Sequence, residues 1–400
     1  DITIFGGSIE TSSFGTGAGG FIVVEAGRSL DIQAALIFSD AASDGAAGFV
    51  QLGAPLIDID GSIITSEAFG AGAAGSIDIA GDTVSVTSTT MSSAAADSGN
   101  AGVIEFNARA LTIGNSQLST SVTDPNLAAE GGSIILNAET IAILDDTRLR
   151  SSTSGFGIGG RVFLSSQSLM IGGGSVIATE TAGPGQAGAV LIDTGDFTLR
   201  GQSSVSASTT GAGNAGSIEV SATSLLVDAS RLASEASGNG GGNSGRISVA
   251  ANSLTIGNGG GILTASRGAG LSGNISIDAG TVTLSSGGFL DTDTANGQGG
   301  SVTVKAAQSL ALSGRAFISA GTNGAGDAGS LSIETPRLSL DNARIEAESR
   351  GSGAAGSIDV ATAELLLGNG SLITATTFAD GTGGQLLINA ETITIGRGSG

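Results

Sequence analysis

Residues 189–216 read AVLIDTGDFTLRGQSSVSASTTGAGNAG, and residues 357–384 read SIDVATAELLLGNGSLITATTFADGTGG. Both stretches contain two segments with apolar residues two apart, a short turn, one large apolar residue followed by a small one, and a glycine-rich loop. Because side chains along a strand alternate between its two faces, this spacing predicts half-buried β-strands. The sustained three-four spacing of a helix is absent. Each stretch therefore predicts three short strands.

The same pattern recurs along the whole chain. A small residue followed by glycine ends each repeat, and successive pairs are 27 to 30 residues apart. The glycines of these pairs are Gly20, Gly48, Gly75, Gly102, Gly132, Gly160, Gly188, Gly216, Gly245, Gly273, Gly300, Gly329, Gly356 and Gly384. Self-similarity at a fixed period of this length is typical of a solenoid.

Apolar residues occupy matching positions in successive repeats. The first segment contains the pairs Ile77/Ile79, Ile218/Val220, Ile247/Val249, Ile275/Ile277, Val302/Val304 and Ile358/Val360. The second contains Leu111/Ile113, Leu225/Val227, Leu254/Ile256, Leu338/Leu340 and Ile393/Ile395, and the third contains Leu118/Thr120, Ile177/Thr179, Val205/Ala207, Ile345/Ala347 and Ile373/Ala375. Gly-Asn or Asp-Asn turns at 114–115, 257–258, 341–342 and 368–369 tolerate positive φ and predict sharp corners before the third segment.

The pattern predicts an all-β fold, a right-handed parallel β-helix of about 14 coils of 27–30 residues with three short strands per coil. A strand of four or five residues cannot bury its apolar face alone, and stacking equivalent strands of successive repeats solves this. The matching positions then form aliphatic ladders and one ladder of Ser, Thr and Ala. The expected winding is right-handed because parallel crossovers have that hand.

The repeat array predicts one continuous domain over residues 1–400. Residues 1–4 and 392–395 both match a second segment, so both ends fall within a coil. We therefore expect an excerpt of a longer chain, without a separate catalytic or secretion domain. Unpaired strand edges at the two ends predict end-to-end association of the isolated chain.

The composition excludes several chemistries. Glycine contributes 69 of 400 residues, and Cys, His, Trp and Tyr are absent, so disulfides, thiolate nucleophiles and imidazole bases are excluded. Fifteen basic against 36 acidic residues give a net charge of −21, which would repel phosphate backbones and anionic membranes. No run approaches the ~20 apolar residues of a membrane-spanning helix. We expect no nucleic-acid partner and no membrane insertion.

The repeat resembles a known family. Its consensus, A/G-G-[S/x]-I-x-[I/V]-x-A-x-x-[L/I]-x-[L/I/V]-x-x-G-S-x-I-x-[A/T]-x-[T/S]-x-G-x-G-x-A-G, covers essentially all 400 residues. It is similar to the repeat arrays of filamentous haemagglutinin-like exoproteins exported by two-partner secretion, in particular large cyanobacterial-type proteins with an amino-terminal haemagglutination-activity domain. The resemblance implies a secreted or cell-surface β-helical rod for adhesion, aggregation or biofilm formation.

The resemblance also implies partners and a location. The parent protein would use an outer-membrane secretion partner, and the rod would bind cell-surface glycans or proteins outside the bacterial cell. The family's secretion domain carries Asn-Pro-Asn-Leu and Asn-Pro-Asn-Gly-Ile motifs. Only residues 124–127, Asp-Pro-Asn-Leu, come near, and we interpret them as a chance match in an inter-coil loop. The absence of cysteine is consistent with export of an unfolded chain.

Outward-facing carboxylates in the third segment give one alternative function. They are Asp291 with Asp293, Glu346 with Glu348, and the single residues Glu10, Asp40, Glu67, Glu180 and Glu235. Paired carboxylates on a β-helix face resemble the acid and base of polysaccharide hydrolases. A solvated acidic face is the simpler interpretation, because the chain has neither Trp nor Tyr for sugar platforms and no clustered basic residues near the acids.

Three further motifs receive structural interpretations. Asp44, Asp327 and Asp380 lie singly in glycine-rich loops, which is too few oxygen ligands for calcium. The pairs Thr374/Thr376 and Ser206/Ser208 resemble ice-binding arrays, but equivalent positions change to Asp, Glu, Ala and Arg. The string at 211–216 matches phosphate-binding loops, but no helix or P-loop lysine follows it, so it predicts a corner.

The phenylalanines are expected to pack rather than to recognise a ligand. Phe21 and Phe49 share one repeat position and should stack, while Phe14, Phe69, Phe156 and Phe378 should cover a corner of the core. A small adhesive aromatic stripe is the alternative. The sequence as a whole predicts a structural and adhesive shaft that is not an enzyme, with no catalytic, cofactor-binding or metal-binding residue and no cofactor.

Overall fold

The structure is a computed structural model that describes residues 1–238, 241–396 and 398. These residues contain no helix. They form parallel β-strands that wind as a β-solenoid of about 14 coils with three strands per coil, which confirms the predicted parallel β-helix. The chain divides into two compact units, Asp1–Gly195 and Asp196–Gly400.

The first unit has one sheet of longer strands, one of three-residue strands and one of single-residue bridges. Its strands are β1 (Ile2–Phe5), β2 (Ser8–Glu10), β3 (Phe21–Glu25), β4 (Ser29–Gln33), β5 (Leu36–Phe38), β6 (Phe49–Gly53), β7 (Leu56–Asp60), β8 (Ile63–Thr65), β9 (Ser76–Thr87), β10 (Thr90–Ser92), β11 (Val103–Gly114), β12 (Gln117–Ser119), β13 (Ser133–Leu144), β14 (Arg148–Arg150), β15 (Arg161–Ile171) and β16 (Val176–Ala178). The bridges are at Ser13, Ala41, Ala68, Ala95, Val122, Thr153 and Thr181.

The second unit repeats this arrangement. Strand β17 (Ala189–Arg200) contains the boundary, and the strands that follow are β18 (Ser204–Ser206), β19 (Ser217–Asp228), β20 (Arg231–Ala233), β21 (Ile247–Gly257), β22 (Gly261–Leu263), β23 (Ile275–Leu284), β24 (Phe289–Asp291), β25 (Val302–Ser313), β26 (Phe317–Ser319), β27 (Leu331–Asp341), β28 (Arg344–Glu346), β29 (Ile358–Gly368), β30 (Leu372–Thr374) and β31 (Leu386–Ile395). The bridges are at Thr209, Ala236, Ser266, Thr294, Thr322, Ser349 and Thr377.

Aliphatic side chains at matching positions of successive coils form the core. Ile247 of β21 lies opposite Ile275 of β23, which in turn lies opposite Val302 of β25. All three are fully buried. Burial of apolar surface contributes about 25 cal/mol per Å², so each inner ladder residue stabilises the contacts with both neighbouring coils. These are the aliphatic ladders that the sequence predicts.

The division of a coil into strands differs from the expectation in one respect. The sequence predicts separate first and second strands, but from β9 onward the two segments belong to one strand of 10 to 12 residues. At the bend, Asn107 pairs with Asn137 and Ala108 with Ala138. Backbone pairing therefore continues where the apolar alternation stops. The third strand of each coil is the single-residue bridge.

The turn before each three-residue strand contains residues in the left-handed conformation. Asn115, Asn258, Asn342 and Asn369 have φ of 48°, 53°, 52° and 52°. Asparagine adopts this conformation at low cost compared with most side chains. The predicted sharp corners are therefore confirmed at all four turns.

At most repeats, the terminal glycine lies where two coils approach too closely for a side chain. A Cβ atom on Gly75 would lie 1.5 Å from the carbonyl oxygen of Gly48, and one on Gly102 would lie 1.7 Å from that of Gly75. Comparable overlaps occur at Gly48, Gly132, Gly160 and Gly188 in the first unit and at Gly245, Gly273, Gly300, Gly329, Gly356 and Gly384 in the second. The repeated glycine therefore allows close backbone stacking.

Small residues inside the coil hold the same glycines by hydrogen bonds. The hydroxyl groups of Ser66 and Ser234 donate to the carbonyl oxygens of Gly48 and Gly216, both at 2.7 Å. Both serines are fully buried. The predicted Ser, Thr and Ala ladder is confirmed. Its serine hydrogen bonds satisfy polar groups that would otherwise be costly to bury, whereas the buried hydroxyls of Thr120 and Thr179 have no hydrogen-bond partner among the described residues.

Candidate functional site

The two sequence-predicted carboxylate pairs of the second unit lie on one outward face, which we call the acidic face and define by Asp291, Asp293, Ser319, Glu346 and Glu348. Asp291, Ser319 and Glu346 are register partners at the ends of β24, β26 and β28. The Cα atoms of Asp291 and Glu346 are thus two strand spacings apart, roughly 10 Å. The fold brings the two acid pairs onto one surface.

Asp291 and Asp293 interact directly. The backbone N–H of Asp293 donates to Oδ1 of Asp291 at 2.8 Å, while Oδ1 of Asp293 accepts the hydroxyl of Ser319 and the N–H of Gly321, both at 2.5 Å. Burial and the negative charge of Asp293 raise the pKa of Asp291 to about 7. Asp291 therefore keeps its proton in mildly acidic solution, while Asp293 accepts bonds from the next coil.

We expect Asp291 to make the second unit less stable as pH rises from about 4 to about 7. Below this range the carboxyl is protonated in both states, since its ordinary pKa is 3.8. Within it the unfolded chain releases the proton and the folded chain keeps it, so the free energy of unfolding falls until the folded pKa is passed. Urea unfolding at several pH values should show that the free energy of unfolding decreases less over this range for Asp291→Asn than for the unmodified chain.

The control for this pH dependence is Asp359→Asn, which changes an exposed acid of the same unit. Its urea midpoints should follow the unmodified chain at every pH. If Asp291→Asn gave the same pH profile as the unmodified chain, the buried proton at Asp291 would be contradicted.

Neighbouring charges of both signs act on the Glu346 carboxyl group. Burial raises its pKa, the charges of Glu348 and Asp293 add to this, and Arg344 and Arg350 oppose it. Arg350 forms an ion pair with Glu348 at 3.7 Å. The acidic face therefore combines partly buried carboxyl groups with nearby guanidinium groups.

The first unit uses carboxylates of the same column as links between coils. The hydroxyl of Thr65 donates to both carboxylate oxygens of Asp40 at 2.9 Å, and the N–H of Glu67 donates to Oδ1 at 2.8 Å. The Ser92 hydroxyl in turn donates to Glu67. Burial raises the pKa of both acids. Since Asp293 has the same kind of partners, its arrangement is a recurring structural contact.

Two other predicted carboxylates have basic partners. Glu180 pairs with Arg150 at 2.9 Å, and Glu235 pairs with Arg267 at 3.9 Å. Glu10 lies on the three-residue strand β2 and is exposed. These acids therefore do not join Asp291 in one site.

Two of the three loop aspartates have structural partners. Oδ1 of Asp44 accepts the N–H of Ala71 at 3.3 Å, and Oδ1 of Asp327 accepts the N–H of Ala354 at 2.8 Å. Asp380 is exposed. Over the ranges described, no group of three or more acidic side chains could hold a metal ion. Asp44 and Asp327 thus connect successive loops.

The two hydroxyl groups of each pair form a hydrogen bond with each other. Thr374 and Thr376 have hydroxyl oxygens 2.6 Å apart, and the hydroxyl of Ser206 donates to that of Ser208 at 2.8 Å. In the column of Ser206, the next residues are Ala233 and Leu263. The pairs thus do not repeat from coil to coil.

The phenylalanines follow the expectation only in part. Phe21 and Phe49 stack with ring centroids 5.4 Å apart, as predicted. The expectation that the corner residues cover the core is wrong, because their side chains are 52–79% exposed; they are Phe14, Phe69, Phe156 and Phe378. The sequence reasoning missed a second stack, between Phe289 and Phe317, with centroids 5.2 Å apart. Their separation of 28 residues is the signal that could have found it.

No family model, curated protein or solved structure matches this chain. Within the described residues, no helix has the length and hydrophobicity needed to span a membrane.

Proposed function

We propose that this chain is a structural and adhesive β-helical shaft of a secreted or cell-surface exoprotein. The observation that carries the proposal is the regular stacking within each unit, where aliphatic ladders and a glycine column recur in coil after coil. Such a core fixes the spacing of outward-facing residues along the stack. Recognition then rests on surface side chains and loops.

The sequence resemblance to filamentous haemagglutinin-like exoproteins supports the same proposal. It gives a location at the bacterial cell surface or outside the cell, and an outer-membrane secretion partner for the parent protein. Surface glycans or proteins are the ligands of such a shaft. Adhesion, cell aggregation or biofilm formation is the activity that we assign to it.

A polysaccharide-binding or polysaccharide-degrading β-helix is the second candidate. It is favoured by the partly buried Asp291, whose pKa is raised to about 7 beside Asp293, as in an acid that donates a proton. Against degradation, Asp293 is engaged by Ser319 and Gly321, and the first unit has the same contacts at Asp40. We therefore favour adhesion over hydrolysis.

The experiment combines binding and turnover. The purified chain should bind intact cells and a glycan array without releasing reducing sugar from polysaccharides. In the double variant Asp291→Ala/Asp293→Ala, cell binding should remain within about twofold, because neither carboxylate is assigned to the adhesive surface. Circular dichroism should first show that the variant is folded, and Asp359→Ala is the matched surface control. Turnover that disappears in the double variant would favour the enzyme, and absence of all binding would contradict adhesion.

A further inference from the structure

A cavity of about 580 Å³ lies beside the acidic face of the second unit. Arg315, Phe317, Asn342, Arg344 and Glu346 contribute to its lining. Arg315 and Asn342 occupy equivalent turns, both with positive φ, and the N–H of Arg315 donates to the carbonyl oxygen of Asn342 at 2.6 Å. Regular backbone pairing between coils therefore holds this group of side chains together.

The Phe317 ring is fixed by a stack. It lies 5.2 Å from the Phe289 ring with an interplanar angle of 6°. On the preceding coil, the register partner of Phe289 is Gly261, where a Cβ atom would lie 2.2 Å from the ring. Arg231 lies 6.0 Å from the centroid of the same ring. The missing side chain at Gly261 leaves room for the ring, so an aromatic surface is held beside the cavity.

The cavity has more positive than negative side chains. Glu346 is its only acidic lining residue among those described, against Arg315 and Arg344. Neither arginine forms an ion pair with a carboxylate in the described ranges, whereas Arg350, Arg337 and Lys305 do, with Glu348, Glu364 and Glu334. In a chain with net charge −21, two guanidinium groups without an ion pair at one cavity fit an anionic ligand.

We propose that this cavity, the Arg315–Arg344 pocket, binds a uronosyl residue of an acidic polysaccharide. A guanidinium group binds a planar carboxylate through two parallel N–H bonds. The apolar face of the sugar ring packs on Phe317, and the Asn342 amide and Glu346 carboxylate bind its hydroxyls. The assignment rests on the proposed adhesive function, since it supplies a glycan ligand for the shaft.

The larger groove of the second unit does not compete with this assignment. It follows the bend of the long strands, and Lys305 and Glu334 line it with Thr362 and Asn389. Lys305 already pairs with Glu334 at 3.7 Å. Among the described residues that line this groove none is aromatic, and Lys305 is already ion-paired, so they offer neither the free cation nor the ring that a uronosyl residue would use.

The test uses calorimetry with a hexamer of galacturonate as the probe. Its fully methyl-esterified form has the same skeleton without the charges, and a sulfated galactan oligomer carries a different anion. The unmodified chain should bind the acid form at least tenfold more tightly than either of the others. Equal affinity for the ester would overturn carboxylate recognition, and tighter binding of the sulfated oligomer would overturn the choice of a uronosyl ligand.

Variants separate the pocket from general effects on folding. Arg344→Gln and Arg315→Gln should each weaken binding of the acid hexamer about tenfold, while Arg246→Gln, an exposed arginine of the same unit, should not change it. Glu346→Gln should instead tighten binding at least threefold at pH 8, because it removes the negative charge from the lining. A damaged fold cannot produce this gain. Unchanged affinity in both arginine variants would overturn the site.

The cell-binding assay distinguishes the two proposals. If the chain bound cells but not the hexamer, the uronosyl site would be contradicted and the adhesive function would be supported. If the chain bound the hexamer but neither cells nor arrayed glycans, the adhesive function would be contradicted and the uronosyl site would be supported.

Discussion

Replacing Ile218 and Val220 together by aspartate should abolish cooperative unfolding of the second unit. Both side chains are buried in β19 and lie opposite Ile247 and Val249 of β21. Two carboxylates at these positions would be buried with no partner, at a cost of roughly 3–5 kcal/mol each. The sum, roughly 6–10 kcal/mol, is comparable to the whole stability of about 5–15 kcal/mol that is typical of a domain. Thermal melts followed by circular dichroism should lose their sharp transition.

The control for the ladder variant lies on the same strand. Leu226 is an outward-facing aliphatic residue of β19 with 38% of its surface exposed. Leu226→Asp introduces the same type of charge on the solvent side and should change the melting temperature by only a few degrees. If the double variant kept a cooperative melt close to that of Leu226→Asp, the predicted register of the ladder would be contradicted.

The core could be predicted because every repeat carries its own copy of the signal. Ile218, Ile247, Ile275 and Val302 occupy one column of the sequence repeat, and the structure places them in one ladder. A solenoid has contacts mainly between neighbouring repeats, so matching positions along the chain predict neighbours in space. No long-range pairing had to be guessed.

The bend within the long strands could not be predicted from apolar alternation. Its residues, such as Asn107 and Asn137, pair through the backbone, and their side chains contact each other at 3.2 Å on the exposed surface. A polar pair of this kind resembles a loop when hydrophobicity is the only criterion. The strand boundaries are therefore set by backbone hydrogen bonds, which the pattern of apolar residues does not reveal.

The candidate site was predicted only in part. The carboxylates Asp291 and Asp293 are two residues apart and so were visible as a pair, whereas Phe317, Asn342 and Arg344 belong to two different coils. Aligning the repeats would have placed Phe317 next to Arg344, 27 residues later, and Gly261 next to Phe289. The excess of positive side chains at the cavity and the space above Gly261 could be recognised only from the three-dimensional structure.

Replacing Gly75 by alanine should destabilise the first unit by about 3 kcal/mol or more, at the upper end of the cost of overpacking. The added Cβ would lie 1.5 Å from the carbonyl oxygen of Gly48 and 2.3 Å from the Ser66 hydroxyl oxygen. That carbonyl also accepts the Ser66 hydrogen bond, so separating the coils would weaken both contacts. Because the obstacle is backbone, a rotamer change cannot relieve the overlap.

The matched control for Gly75→Ala is Gly27→Ala. Gly27 has no heavy atom within 4 Å of the Cβ position, and its φ lies outside the left-handed region. Alanine there should leave stability unchanged or raise it slightly, by restricting the unfolded chain. Urea unfolding of both variants measures the difference. Equal midpoints would mean that the glycine column reflects chain flexibility, whereas a loss confined to Gly75→Ala assigns its role to the distance between coils.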